Sequence, residues 1–372
     1  MPTIDREQIG IAFDMLGCPN RCRHCWLGSG SHGVMSEEDV RWGVSKFREF
    51  IQNRQSSVRR LAVATWFREP DFSPDFRRLY DLEAELGDGK PNRFELLSIW
   101  RLARDRSYAA WAKTVGPDTC QISFAGMKQS TDWFYRRNGA FSDALTATER
   151  LLEAGIKPRW QLFLTTKLLP EVNDFLELIH MLRLVDRVKE LGGDFQVFMN
   201  LPGPEHEGRK IEQFRPTADQ AASIPESILK ASRNHLNRET LWQTEATLYD
   251  AILSGSHPQQ EVIPEVLWFF VCNNWDVFSN AGTLEPWWCL GNLKRDSVES
   301  MLRRFEEDDI PGLSIMLHTS TAELAEIYGN PEGQNVYSYA EDLTSLYRAQ
   351  HCEKEWNNGS RLKKNPIRRS NQ

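Results

Sequence analysis

The stretch that decides the fold is Gly17-Cys-Pro-Asn-Arg-Cys-Arg-His-Cys25, in which three cysteines are spaced as C-x3-C-x2-C. An apolar run at residues 9–13 precedes it and predicts a buried strand. The three thiols therefore follow the carboxyl end of a first strand. Three thiolates on one short loop can hold an iron–sulfur cube and leave a fourth iron open to another ligand.

Two other interpretations of these thiols are a zinc site and three unrelated cysteines. Structural zinc sites are closed, usually by four ligands in paired spacing, and His24 is badly placed between its neighbours to be the fourth. Seven cysteines are an odd number for a disulfide framework, and the chain is too long to need one. The clustering therefore favours an iron–sulfur site.

Strand-like and helix-like stretches alternate along the first half of the chain. The strand-like runs are residues 9–13, 61–67, 94–100, 120–124, 160–165 and 195–201, and helical patterns cover 36–51, 142–155 and 170–191. This alternation predicts an α/β fold with a parallel sheet. Six units are too few for the usual eight-unit barrel, so we expect a partial (β/α)6 TIM-like barrel over residues 1–202. Ligands bind at the carboxyl ends of such strands, where Cys18 lies.

The pattern changes after Pro202. Residues 203–240 are polar and predict a helical linker, and residues 241–358 predict a small α+β module. Within that module, runs at 262–271 and 275–279 predict two strands joined by a turn at Asn273-Asn274, and 296–305 predicts a short helix. Residues 359–372 form a basic tail, which we expect to be flexible.

Composition narrows the classes of function. The 372 residues are 40% hydrophobic and 26% charged, which is enough apolar material for a large core. The net charge of -7 argues against a nucleic-acid surface. No apolar run is long enough for a bilayer, and the first residues lack the pattern of a secretory signal. We therefore expect a cytoplasmic protein without membrane or nucleic-acid partners.

The C-x3-C-x2-C motif, early in the chain and directly after a first strand, resembles the signature of the radical S-adenosylmethionine (SAM) superfamily. The resemblance covers about residues 7–201. It implies that Cys18, Cys22 and Cys25 hold a 4Fe–4S cluster whose open iron is chelated by SAM. Reductive cleavage of SAM then yields a 5′-deoxyadenosyl radical that abstracts a substrate hydrogen. An external electron donor such as flavodoxin or ferredoxin is implied as a partner.

Four further residues are assigned to SAM binding by the same resemblance. His24 takes the position of an aromatic residue that packs near adenine. Glu69, in Phe67-Arg68-Glu69-Pro70, matches the acid of a Gly-Gly-Glu-Pro motif that meets the methionine amine, although an ordinary helix-start acid is the alternative. Ser123 matches a serine that contacts the ribose. Arg137, slightly preferred over Arg136, matches an arginine that reaches the SAM carboxylate.

The segments at 271–278 and 289–299 resemble the hairpin and helix of SPASM and Twitch extensions, which carry auxiliary clusters in many members. Cys272, Cys289 and Cys352 are the candidate ligands of a second cluster. Ser279 and Asn280, however, stand where the hairpin would carry a cysteine, and a cluster normally needs a fourth ligand. A hairpin without a cluster is therefore the favoured prediction.

Three functions are open at this stage. The main prediction is a radical SAM enzyme acting on a small polar metabolite such as a sugar, nucleoside or aminocyclitol. The alternative is a maturase that modifies a ribosomal peptide, which the SPASM-like hairpin suggests. A non-enzymatic iron–sulfur or zinc module is disfavoured, because matches to a SAM site occur on several strands.

Overall fold

The computed structural model describes residues 7–28, 33–53, 58–89, 95–255 and 263–359. The strands in these ranges are β1 (Gln8–Phe13), β2 (Arg60–Ala64), β3 (Thr119–Phe124), β4 (Lys157–Phe163), β5 (Gln196–Asn200), β6 (Gln243–Thr244), β7 (Leu267–Val271), β8 (Asp276–Ser279), β9 (Gly291–Asn292) and β10 (Val336–Tyr337). Most of the basic tail predicted for 359–372 lies outside the described residues.

Helices fill most of the remaining described chain. They are α1 (Glu37–Asn53), α2 (Phe76–Leu86), α3 (Ile99–Arg104), α4 (Arg106–Val115), α5 (Lys128–Tyr135), α6 (Ala140–Glu153), α7 (Val172–Met181), α8 (Leu184–Glu190), α9 (Ala218–Ala221), α10 (Glu226–Leu236), α11 (Glu245–Leu253), α12 (Val298–Glu306), α13 (Pro311–His318), α14 (Thr321–Tyr328) and α15 (Ala340–Asn358). Short 3₁₀ helices cover Leu169–Glu171, Gly208–Phe214 and Pro286–Trp288. None of the described helices combines the length and the apolar character needed to cross a bilayer.

Two sheets of the α/β fold carry the parallel strands. The first has the order β2-β1-β7-β8-β9, in which β1 runs parallel to β2 and β7, and the last two pairings are antiparallel. The second has the order β3-β4-β5 and is parallel throughout. The predicted α/β class with parallel sheets is confirmed. Within the described residues the strands do not close into a barrel, and the sixfold count of units stays a prediction.

The predicted strand at 94–100 is wrong. Ser98 caps a helix instead, because its side chain accepts a hydrogen bond from the Arg101 backbone N–H, and α3 begins at Ile99. One hydrogen bond, from Gln121 N to the Glu95 carbonyl (2.7 Å), still joins this stretch to β3. The cap therefore leaves too little extended chain for a strand between β2 and β3.

Two predicted helices are confirmed, and a third is divided. The reciprocal hydrogen bonds of Ser36 and Asp39 form the expected capping box before α1. The helix expected from 142 to 155 is α6, with Gly155 in the left-handed region after its end. The single helix expected over 170–191 is two, α7 and α8, because Arg183 adopts φ 52° and interrupts it.

The predicted C-terminal hairpin is confirmed as β7 and β8, although β7 begins only at Leu267. The left-handed position of its turn is Trp275 (φ 72°). β7 also pairs in parallel with β1, and Asp14 N donates to the Val271 carbonyl (3.0 Å). The hairpin thus extends the sheet that carries the cysteine loop. The boundaries predicted for the linker and the C-terminal module stay predictions.

Residues on the two faces of the first sheet differ in size. On one face Phe13 and Phe269 pack in a core with α1, where Gly43 allows the Phe13 ring to approach the helix backbone. Strand alternation puts a second set on the opposite face. Paired across β2, β1 and β7, this set comprises Gly10, Ala12, Ala62, Ala64, Trp268 and Phe270. A side chain at Gly10 would collide with the Trp268 ring, so the small residues keep this face open beside the aromatic ones.

Candidate functional site

The cysteine loop begins directly after β1. Gly17 adopts φ 78°, a left-handed conformation that favours glycine, and its N–H donates to Asp14 Oδ1 (3.0 Å). The Asn20 N–H lies 3.4 Å from Cys18 Sγ, and Cys25 N donates to the Cys22 carbonyl (3.3 Å). Backbone bonds of the loop itself therefore bring the thiols to the carboxyl end of β1.

The end of helix α5 holds the same loop from the side of the second sheet. Arg23 N donates to the Phe134 carbonyl (2.8 Å), and Arg21 N donates to the Tyr135 carbonyl (3.2 Å). The Arg23 side chain donates to the Trp133 carbonyl (3.0 Å). The last carbonyls of a helix lack partners within the helix, so the loop satisfies groups that would otherwise be unpaired.

The three thiols are partly buried and free of disulfides. Burial raises the pKa of Cys18, Cys22 and Cys25, and the charge of Glu69 raises those of Cys18 and Cys22 further. Thiolates at this site therefore need a positive partner, which a metal centre supplies. Among the described residues no three His, Cys, Asp or Glu side chains are grouped as a single metal ion requires. Three thiols on one loop are a donor set that fits an iron–sulfur cube.

His24 lies in an aromatic cluster near the ends of β3 and β4. Its ring stacks on Phe134 (centroids 4.3 Å apart, planes at 6°) and contacts Phe163 at 4.4 Å. Burial lowers the pKa of His24 to about 3, so the imidazole is neutral, and its Nδ1 has no partner among the described residues. The contact with adenine implied by the resemblance stays a prediction.

Glu69 lies at the amino end of α3 and close to the thiols. Its Oε1 accepts hydrogen bonds from Ser98 Oγ (2.7 Å) and from Trp100 N (3.4 Å). Burial raises the pKa of Glu69, and the positive charge of Arg137 opposes that shift. Glu69 is therefore a partly buried acid at a helix start, and its assigned role toward the SAM amine stays a prediction.

The neighbouring residues Arg136 and Arg137 point to different parts of the site. Arg137 Nε donates to Asn20 Oδ1 (2.6 Å), inside the cysteine motif, and Nη1 lies 2.6 Å from Asp143. Arg136, in the left-handed region at the end of α5, instead lies 2.8 Å from Glu207. The structure thus brings Arg137, the preferred candidate, to the cysteine loop.

Ser123 lies near the carboxyl end of β3. Its hydroxyl donates to Gln161 Oε1 on β4 (3.1 Å), and its carbonyl accepts a hydrogen bond from the Tyr135 hydroxyl (2.9 Å). Ser123 is therefore at the correct edge of the second sheet for a ligand of the loop. Its contact with the SAM ribose stays a prediction.

Arg68 is a residue at this site whose role the sequence did not reveal. Its side chain donates to the carbonyls of Gly28 (3.2 Å) and Leu27 (3.3 Å), just after the last cysteine, and it forms a buried ion pair with Asp14. One indication of this role lay in the sequence: Arg68 stands where the Gly-Gly-Glu-Pro motif of the family has glycine. A cation there supports the loop from the side of β2.

The sequence also did not reveal that the segment after β5 contacts the cysteine loop. Glu207 N donates to the Cys25 carbonyl (3.3 Å), and the His206 ring occupies the space that a side chain at Gly28 would need. Gly208 approaches the Gly203 carbonyl so closely that no Cβ fits. The two glycines, at the carboxyl end of a predicted strand, were the signal that this segment packs against the loop.

The candidate ligands of a second cluster have separate surroundings. Cys272 follows β7, where Arg68 opposes the effect of burial on its pKa. Cys289 lies 3.4 Å from the Gly291 carbonyl, and Cys352 is buried on α15. Burial raises the pKa of each to about 12. The absence of a second cluster stays a prediction.

A cavity of about 660 Å³ lies on the open face of the first sheet. Its aromatic wall is formed by Trp26, Trp66, Phe67, Trp268 and Phe270. Trp26 directly follows the last cysteine and is 42% exposed, so the cavity begins next to the cysteine loop. The small residues Ala12, Ala62 and Ala64 line the cavity beside Trp268 and Phe270, on the same face of the sheet.

Most polar side chains in this wall already have partners. Glu83 accepts hydrogen bonds from the backbone N–H (2.8 Å) and the hydroxyl (2.7 Å) of Thr65. Asp88 forms an ion pair with Arg48 (2.9 Å). Asn280 accepts from Trp268 N and donates to the Val266 carbonyl. Trp66 Nε1 is a buried donor without a partner among the described residues. The cavity therefore presents mainly apolar and aromatic surface.

This arrangement is the fold of radical SAM enzymes. A solved structure of native anSMEcpe with bound AdoMet matches the chain with a TM-score of 0.50 and 14% identity, over 94% of this chain and 99% of that one. The resemblance inferred from the cysteine motif is thus confirmed at the level of the fold. No protein-family model matches the chain, and no curated protein does.

Two further solved structures match with lower scores. Native anSMEcpe with bound AdoMet and Cp18Cys peptide gives a TM-score of 0.49 at 14% identity, over 94% of this chain and 99% of that one. Streptococcus suis SuiB bound to precursor peptide SuiA gives 0.46 at 12% identity, over 82% and 66%.

Proposed function

We propose that the chain is a radical SAM enzyme that acts on a peptide and places an apolar, preferably aromatic, side chain of that peptide in the cavity. The observation that carries the first part is the grouping of three thiols, Glu69 and Arg137 at the carboxyl end of β1. This edge is where ligands bind in parallel α/β folds.

In this proposal Cys18, Cys22 and Cys25 hold the 4Fe–4S cluster. With SAM bound, that cluster supplies reductive cleavage and a hydrogen-abstracting 5′-deoxyadenosyl radical, using an electron from a donor such as flavodoxin or ferredoxin. The chain's own residues bind SAM and orient it. Glu69 offers a carboxylate for the SAM amine, and Arg137 offers a guanidinium for its carboxylate.

His24 and Ser123 complete the proposed SAM site. The neutral imidazole of His24, already stacked on Phe134, extends an apolar surface on which adenine can lie. The hydroxyl of Ser123, at the same edge, can exchange its bond to Gln161 for one to the ribose.

A peptide replaces the small polar metabolite as the preferred substrate because of the walls of the cavity. A sugar or nucleoside needs a hydrogen-bond partner for each hydroxyl or amide that it buries. Glu83, Asp88 and Asn280 are already bonded to the protein, which leaves few such partners. An aromatic side chain, by contrast, gains from contact with Trp268 and Phe270.

The test uses the anaerobically reconstituted, reduced protein with SAM. Capped tripeptides with a central Phe, Leu or Ser are added in parallel with monosaccharides and nucleosides, and the formation of 5′-deoxyadenosine is measured. We expect the Phe and Leu peptides to accelerate SAM cleavage and the polar compounds to have no effect. Acceleration by sugars or nucleosides alone would refute the peptide proposal. A protein that binds no iron, or that never cleaves SAM, would refute the radical SAM assignment.

A further inference from the structure

A second, smaller cavity of about 220 Å³ lies beside the aromatic one. Trp26 and Asn280 belong to the walls of both cavities. The remaining wall differs in chemistry, because it includes the charged residues Glu205, Glu285 and Arg348. Polar groups are therefore available a short distance from the aromatic surface.

Arg348 has an incomplete set of hydrogen bonds. Its Nε is fully buried and has no partner among the described residues. Burial lowers the pKa of Arg348, although the charge of Glu205 opposes that shift. An arginine carries five N–H donors, and leaving a buried donor unpaired is unfavourable. A ligand that accepts hydrogen bonds in this cavity would remove that cost.

Glu205 is the acceptor that complements Arg348: its carboxyl group has one hydrogen bond, with the side chain of Ser345, and a carboxylate has further acceptor sites. Burial raises the pKa of Glu205, and the charge of Asp342 raises it further. Glu285, in the same wall, is already occupied, because it accepts from Arg209 (3.0 Å) and from the Thr283 hydroxyl (2.9 Å). The cavity thus offers a ligand the donors of Arg348 and the carboxyl group of Glu205.

We propose that Arg348 and Glu205 bind a backbone amide of the substrate peptide, while the adjoining side chain enters the aromatic cavity across Trp26. The amide carbonyl accepts from Arg348, and the amide N–H donates to Glu205. An amide is neutral and satisfies both residues, whereas a lone carboxylate would bind Arg348 but be repelled by Glu205, and a lone ammonium would bind Glu205 but be repelled by Arg348. This inference rests on the proposed function and assigns the residues that recognise the peptide main chain.

The test measures binding of two probes to the reconstituted protein with SAM, through quenching of tryptophan fluorescence. N-acetyl-phenylalanine N-methylamide carries the aromatic ring and two amides, and ethylbenzene carries the ring alone. We expect the amide probe to bind at least about tenfold more tightly, the difference made by one hydrogen bond to a charged group. Arg348→Met and Glu205→Leu should each remove most of that advantage and leave the affinity for ethylbenzene unchanged.

Arg238→Met is the matched control. Arg238 also has buried nitrogens without partners, but it lies against Tyr339 and outside both cavity walls. It should keep the full advantage of the amide probe. Arg348→Lys, which keeps the charge, guards against loss of folding and should retain part of the advantage.

Three results would overturn the inference. The first is equal affinity of the wild type for both probes, and the second is an Arg348→Met variant that still binds the amide probe as much more tightly than ethylbenzene as the wild type does. The third is much tighter binding of N-acetyl-phenylalanine than of N-acetyl-phenylalanine N-methylamide. Acceleration of 5′-deoxyadenosine formation by the capped Phe tripeptide is measured with the same reconstituted protein after reduction. If it persists in the wild type while the probe result fails, only the amide site is wrong; if it is absent, the proposed function has failed.

Discussion

Arg68 and Asp14 form an ion pair whose side chains are only 5% and 3% exposed, at the point where β1 passes into the cysteine loop. Burial raises the pKa of Asp14, and the guanidinium opposes that shift. The same guanidinium donates to the carbonyls of Leu27 and Gly28 at the other end of the loop. One side chain therefore connects both ends of the segment that carries the three thiols.

Removing Arg68 should destabilise the protein strongly. Arg68→Met leaves the carboxyl group of Asp14 buried without its partner, a change that typically costs about 3–5 kcal/mol. We expect the double variant Asp14→Asn with Arg68→Met to recover part of that loss, because the uncompensated charge is gone. A double-mutant cycle on the melting temperature of the reconstituted protein measures the coupling. Equal melting temperatures for Arg68→Met and the wild type would show that the pair contributes nothing.

Arg137 and Arg136 should differ in their effect on SAM binding. Arg137→Ala should weaken the affinity about ten- to hundredfold, the range for losing a hydrogen bond between charged groups. Asp143 keeps Arg104 as a partner at 2.9 Å, so the variant should remain folded. Arg136→Ala is the matched control and should bind SAM as the wild type does. Equilibrium dialysis with SAM checks both, and the reverse order of effects would assign the role to Arg136.

The sequence predicted the elements that depend on local patterns. Periodicity and spacing correctly predicted five of the six expected core strands. They also predicted the capping box at Ser36 and the cysteine loop after β1. The strand expected at 94–100 is absent because the cap at Ser98 outweighs the apolar composition. Pairing of β7 with β1, separated by more than 250 residues, leaves no signal in a local pattern.

The candidate site was predictable to a similar extent. Its cysteines were identified because the C-x3-C-x2-C spacing alone indicates an iron–sulfur site. The roles of Arg68 and of the segment at 203–208 depend on contacts across the fold, which the sequence does not contain. The aromatic cavity was missed for a related reason. Its wall combines small residues of β1 and β2 with Trp268 and Phe270 from the distant β7.

Asp342 should make stability depend on pH. Burial raises its pKa to about 6, while the charge of Arg215 acts in the opposite direction. A carboxyl group whose pKa is higher in the folded state favours folding when protonated, and that contribution is lost as the pH rises through 6. Asp342→Asn, which resembles the protonated acid, should therefore stabilise the protein at pH 8 by about 3 kcal/mol. At pH 4 the variant and the wild type should have similar melting temperatures, and a stabilisation independent of pH would argue against this titration.

Filling the cavity should separate substrate binding from SAM cleavage. Ala62→Phe and Ala64→Phe each place a ring in the cavity, on the same sheet face as Trp268 and Phe270. We expect both variants to lose the acceleration of 5′-deoxyadenosine formation by the Phe peptide and to match the wild-type rate of SAM cleavage measured without peptide. Ala222→Phe, at an exposed position, is the control and should behave as the wild type. Full peptide acceleration in both cavity variants would show that the substrate binds elsewhere.

The number of irons per chain tests the prediction that the hairpin carries no second cluster. One cubane gives about four irons per chain in the reconstituted wild type, and alanine at Cys18, Cys22 and Cys25 should leave almost none. Strand pairing with β1 and apolar packing hold the hairpin in place, so we expect it to fold without a metal.

The surroundings of the remaining thiols give the same expectation. Cys272 lies near Arg68 and Asp14, whereas the charged neighbours of Cys352 are Arg348, Glu285 and Arg209. A result of about eight irons in the wild type, with half retained in the triple variant, would instead place a second cluster in the C-terminal part of the chain. Single alanine variants of Cys272, Cys289 and Cys352 would then identify its ligands, because each true ligand should lower the iron content when it is replaced. Such a cluster would also favour an oxidation, since it could accept the electron left on the substrate radical.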